Sequence, residues 1–172
     1  MEYSLSGDAA KDNNYDLQYP CNQFEDTHRN ACYYVQTFRL TDLDVANKDI
    51  INECNKAESP AAGLCVRGHG IFALAHEVLA GQETDVIAFC ESLNTTNGRI
   101  CAEAVASRLA AYSENGENAM PFCNKFGSEY IRGRCFGYTA DVLRVGYDVS
   151  IKSITADCRE YLESPEECIN SI

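Results

Sequence analysis

The residues here with chemistry to offer are ten cysteines, three histidines and a surplus of carboxylates. The cysteines are the most regular: Cys21, Cys32, Cys54, Cys65, Cys90, Cys101, Cys123, Cys135, Cys158 and Cys168. As consecutive pairs they stand 11, 11, 11, 12 and 10 residues apart, and both members of the pair recur every 33 to 36 residues. Zinc ligation would call for close pairs such as C-x2-C, and a c-type haem for C-x-x-C-H. Neither pattern occurs. The even count and the fixed interval point instead to five local disulfides, and the symmetry of the repeat favours neighbours over the other connectivities. Each would close a loop of roughly a dozen residues, worth about 3 kcal/mol in the chain-entropy account of cross-linking. Disulfides persist in oxidising surroundings, so the expected location is extracellular, on a cell surface or in a periplasm.

The histidines are His28, His69 and His76. His69 and His76 are seven apart in one helical stretch and so are expected on a single face, with Glu77 adjacent. That trio is the candidate metal or catalytic group, in the groove of a secreted hydrolase or metal-dependent enzyme. Two helical turns separate the rings by about 10 Å, a long reach for one ion. Counted from the preceding cysteine, His69 occupies the register of Gln36, Val105 and Thr139, which makes helix packing the plainer reading. Gly68 and Gly70 beside it suit a close helix–helix approach. Arg39 and Arg108 each fall seven residues after their cysteine and are candidates for ion pairs between repeats or for binding an anionic partner. Carboxylates such as Glu53, Asp85, Glu103 and Asp141 are too numerous to single out an acid–base pair. There is no G-x-S-x-G, H-E-x-x-H, P-loop or G-x-G-x-x-G, and no cofactor is expected. Asn94-Thr95-Thr96 is a glycosylation sequon, a short pattern that chance also produces.

Helices must hold these residues. Before each second cysteine stands a helix-start signal: Thr27, Ser59-Pro60, Thr96, Ser128 and Ser164-Pro165. The second cysteine is therefore expected early in a longer helix. In the third such helix Cys101, Ala104, Val105, Arg108, Leu109 and Tyr112 share a stripe; Cys135, Tyr138, Val142 and Leu143 do so in the fourth. Gly81, Gly116 and Gly146 are expected to end helices. Shorter helices over 45–54, 85–90, 119–123 and 150–158 then carry the first cysteine of the next pair. A period of this size marks a helical-repeat array. The expected fold is all-α, an α/α solenoid of about four helical hairpins with five local disulfides.

Composition narrows the partners. Fourteen Lys and Arg against 26 Asp and Glu give a net charge of −12, which disfavours nucleic acid and anionic lipid surfaces. No apolar run approaches the ~20 residues of a membrane-spanning helix, so no membrane insertion is expected. Residues 1–20 have neither a basic n-region nor an apolar h-region and do not read as a signal peptide. An exported protein with this start is expected to have lost its leader or to be part of something longer. The same residues read as an N-terminal arm, extended or docked on a partner, with Tyr3, Tyr15, Leu17 and Tyr19 as its candidate contacts; the alternating Tyr15, Leu17 and Tyr19 suit packing along the repeat domain or on a neighbouring subunit. Residues 21–172 then form the stapled repeat domain.

The paired cysteines, the period and the order of long and short helices resemble the cysteine-rich Sel1-like repeats, TPR-like arrays in which a disulfide staples neighbouring helices. The likeness covers roughly residues 21–168 and implies architecture alone. The Leu-Gly…Tyr signature of that family is absent; Cys65-Val66-Arg67-Gly68-His69-Gly70 and Cys135-Phe136-Gly137-Tyr138 echo it in part. Repeat arrays offer extended surfaces. The expected function is an extracellular, non-enzymatic interaction or structural module for a protein or peptide partner. Copies of itself are one such partner, as in a cell-surface or filament subunit.

Overall fold

The computed structural model describes residues 17–41 and 45–172 and is all-α, with no strand among the described residues. All five local disulfides are present, with Cα–Cα separations of 5.4 to 6.0 Å. The chain divides into two compact units, Met1–Gly68 and His69–Ile172.

In the first unit a short 3-10 turn, Cys21–Gln23, leads into α1 (Asp26–Thr41), α2 (Asn47–Cys54) and α3 (Ala61–His69), whose last residue opens the second unit. α1 turns Tyr33, Thr37 and Leu40 inward at helical spacing, and α2 buries Ile50, Ile51 and Cys54. Each fully buried leucine or isoleucine stabilises the unit by about 1.5–3 kcal/mol. Residues 17–20, the end of the N-terminal arm, pack into this unit. Leu17 is wholly buried, Tyr33 Oη donates to Gln18 Oε1 at 2.6 Å, and Gln36 Nε2 donates to the Tyr19 carbonyl at 2.8 Å. A Cβ on Gly68 would lie 1.9 Å from the Tyr34 carbonyl oxygen, so α3 meets α1 backbone to backbone where only glycine fits.

The second unit begins with one turn of π-helix, Gly70–Leu74, and continues through α4 (Ala75–Leu79), α5 (Glu83–Ser92), α6 (Thr95–Ser113), α7 (Ala119–Asn124), α8 (Glu129–Gly146), α9 (Ile151–Tyr161) and α10 (Glu166–Ser171). α6 is its centre: every residue from Ile100 to Ala106 is buried. A helix apolar on all sides needs neighbours on all sides, and α6 has the π turn, α4, α5, α7 and α8 around it. α8 in turn packs against α10, and α9 against α7, α8 and α10. Phe122 and Phe126 meet edge to face in the core at 5.2 Å.

Helix ends follow the sequence signals unevenly. Ser128 caps α8, accepting from the Ile131 amide at 3.4 Å. α6 is capped by Asn94, whose Oδ1 accepts from the Asn97 amide at 3.0 Å; Thr96 lies inside the helix. Gly81 ends α4 at φ +91°. Gly116 and Gly146 do not serve as helix ends of this kind. α6 stops at Glu114, itself left-handed at φ 55° and bonded back to the Ala110 carbonyl. Gly116 is placed by packing, its amide donating to Asp157 Oδ2 at 3.0 Å. Gly146 is the last residue of α8, and the left-handed position comes later, at Asp148.

Candidate functional site

The histidine pair does not form one site. The π turn intervenes, closed by the Ala75 amide donating five residues back to the Gly70 carbonyl. A wider turn advances each residue through a smaller angle, so seven residues no longer return to the same face. His69 points inward with no accessible surface, whereas His76 is exposed and Glu77 half-buried. The three share no solvent-open groove. Among the described residues no cluster of three or more His, Cys, Asp and Glu side chains is gathered to hold a metal.

His69 is distinctive for another reason. Neither ring nitrogen has a hydrogen-bond partner, and burial lowers its pKa from 6.5 to about 4. The imidazole is therefore neutral across the physiological range. Its neighbour Gly70 touches α6 closely: a Cβ there would lie 2.6 Å from Ala104 Cβ. Tight packing on this side leaves a neutral ring filling space, the role Val105 plays at the same register of α6.

The buried charge of the second unit is Glu103, 1% exposed. It accepts two hydrogen bonds from Arg99 Nη1, at 2.8 and 3.0 Å, and lies 3.3 Å from Arg134 Nη2 on α8. A carboxylate so deep requires cationic partners, and two guanidiniums supply them. Sequence reading passed over it as one acid among many. The signal that could have found it is Arg99 one helical turn before, on a stretch otherwise wholly apolar. Arg132 with Glu167 at 2.5 Å and Lys125 with Glu83 make further ties between segments of this unit. A cavity of about 190 Å³ opens between α8, α9 and the end of the chain. Both of its arginines are already engaged, Arg134 by Glu103 and Arg144 by Asp141 at 3.1 Å.

The partner-binding candidates fall in different surroundings. Tyr3 and Tyr15 lie outside the described residues. Leu17 is core, Tyr19 is half-exposed and Arg39 is exposed near the end of α1. Arg108 and Tyr112, expected on a packing stripe of α6, are exposed, with the guanidinium 5.0 Å from the ring centre. The other four members of that stripe, Cys101, Ala104, Val105 and Leu109, are buried as expected. Near the same end of α6 stand Tyr147, whose hydroxyl donates to the Ala111 carbonyl at 3.5 Å, and, on neighbouring residues, Val145 and Ile151. Val145 is 75% exposed and Tyr112 and Ile151 both 57%. The Tyr147–Ala111 hydrogen bond brings the end of α8 against the end of α6 that carries Tyr112.

No protein family, no curated protein and no solved structure matches the chain. Five disulfides suggest an oxidising compartment. Among the described residues no helix is long and apolar enough to cross a membrane.

Proposed function

We propose that the chain is an extracellular, non-enzymatic interaction module, its helical units stacking as an α/α solenoid of the kind the Sel1-like resemblance implies. One observation carries the reading: Arg108 and Tyr112, stacked at the end of α6, are exposed, and Tyr147 at the adjoining end of α8 and its sequence neighbours Val145 and Ile151 are exposed as well. Tyrosine and arginine are among the residue types that dominate binding energy at protein interfaces, tyrosine by large area at low entropic cost and arginine by its planar, multiply donating guanidinium. The disulfides support it by fixing successive helices so that such a surface is presented rigidly. The neighbour-to-neighbour packing inside the second unit, α6 with α8 and α8 with α10, is the order a repeat array would have. The partner is a protein or peptide, and a second copy of the chain is the form most directly tested.

Sedimentation velocity over a wide concentration range tests this form. The expected result is reversible association that weakens when Tyr112→Ala and Val145→Asp are combined, with helicity unchanged. A chain that stays monomeric at every concentration would overturn the self-association form. Equal association by the wild type and the double variant would remove the surface from the proposal.

A further inference from the structure

Asn94-Thr95-Thr96 is the one N-x-Ser/Thr tripeptide in the chain, and the structure gives it a setting that chance does not require. All three residues are exposed, Asn94 as the N-cap that follows the turn after α5, Thr95 and Thr96 as the first two residues of α6. Asn94 has extended backbone, φ −61° and ψ 157°. Its carboxamide is divided in use: Oδ1 accepts from the Asn97 amide, which orients the group and leaves Nδ2 to solvent. An oligosaccharide on Nδ2 would keep that capping bond, since Oδ1 remains an acceptor after substitution. The turn is closed by the Cys90–Cys101 disulfide, so the same chain segment carries the mark of an oxidising compartment. The corresponding position in the other four cysteine pairs holds Glu25, Glu58, Gly127 or Leu162; one turn alone carries an acceptor.

We infer that Asn94 is an N-glycan acceptor, and that the α5–α6 turn is a solvated face which partners do not cover. In the transfer, Nδ2 bonds to the anomeric carbon of a lipid-pyrophosphate-linked oligosaccharide. The bond from that carbon to the pyrophosphate oxygen breaks, the lipid pyrophosphate leaves, and the Nδ2 proton passes to a base of the transferase. The inference rests on the extracellular reading above, because the donor is met only during export.

The test is expression of the full chain behind a secretion leader in eukaryotic cells, with intact mass measured on material from medium and lysate. The expected result is one glycan on the wild type and on Thr96→Ser, removed by an amidase that leaves an 18-oxygen-labelled acid at position 94. Asn94→Asp, which keeps a capping oxygen, and Thr96→Ala should both lose it completely. Wild-type chain at bare polypeptide mass, or a glycan surviving on Asn94→Asp, overturns the inference. Thiol counting on the same samples separates the two levels. Five disulfides without a glycan defeat this inference alone, whereas free thiols defeat the extracellular reading beneath it.

Discussion

Replacing His69 by leucine tests the energetics of the buried ring. In the folded chain its pKa is about 4, against 6.5 when unfolded. Above pH 6.5 the ring is neutral in both states and protonation contributes nothing to the balance. As pH falls below 6.5 the unfolded chain takes up a proton that the folded chain refuses. Stability is therefore lost by about 1.4 kcal/mol per pH unit until pH 4, where the folded ring also titrates. The whole window costs about 3 kcal/mol. His69→Leu lacks this term. It also replaces two unsatisfied nitrogens with apolar atoms of similar volume, so at pH 7.5 it should be at least as stable as wild type, by up to about 1 kcal/mol. The assay is urea unfolding of both proteins, disulfides intact, in steps from pH 7.5 to 4. Carboxylates titrate in both, so the informative quantity is the difference between the two stabilities, predicted to widen by about 3 kcal/mol in favour of leucine as pH falls. A difference independent of pH, or a His69 imidazole NMR signal (the one missing from the leucine variant) titrating near 6.5, would refute the reasoning.

Other consequences follow from the same structure. Arg99→Ala should cost about 3 kcal/mol by removing both hydrogen bonds to buried Glu103 and leaving it the more distant Arg134 alone, while Arg134→Ala, more exposed, should cost less than about 1 kcal/mol; urea midpoints separate them. Gly70→Ala should destabilise by about 1–3 kcal/mol through its collision with Ala104, whereas Gly146→Ala, with nothing within 4 Å, should be neutral or stabilising by about 0.5–1 kcal/mol; thermal melts show the opposite signs. Removing Cys90 and Cys101 together as serines should lower stability by about 3 kcal/mol. In limited reduction followed by alkylation, Cys21–Cys32 should open first, because Cys32 alone among the ten cysteines is not buried.

What could be read from the sequence was what covalent spacing and local chemistry decide. The cysteine interval located five bridges because a disulfide requires its partners within a few ångströms, and near neighbours in a repeat satisfy that. Ser128 worked as a cap because its competition is local. Asn94 was passed over for Thr96, although both residues cap helices well, and only the course of the backbone chooses between them. The histidine face was misjudged because a single π turn after His69 shifts the phase, and no residue pattern announces it. Arg108 and Tyr112 fit by period the stripe whose Cys101, Ala104, Val105 and Leu109 are buried, but they lie at its outer edge near the end of α6 and face solvent. For Glu103 the one local sign was Arg99 a turn before it; its burial depends on the helices around α6, which its own neighbours in sequence do not specify.

The claim on which the rest depends is that the cysteines are local staples in an exported chain. Protein taken from its natural source without reductant, alkylated at harvest and digested for non-reducing peptide mass spectrometry tests it directly. The account predicts five bridges, Cys21–Cys32, Cys54–Cys65, Cys90–Cys101, Cys123–Cys135 and Cys158–Cys168, with no alkylated thiol. Cysteines recovered alkylated, or bridges joining one pair to another, would contradict it.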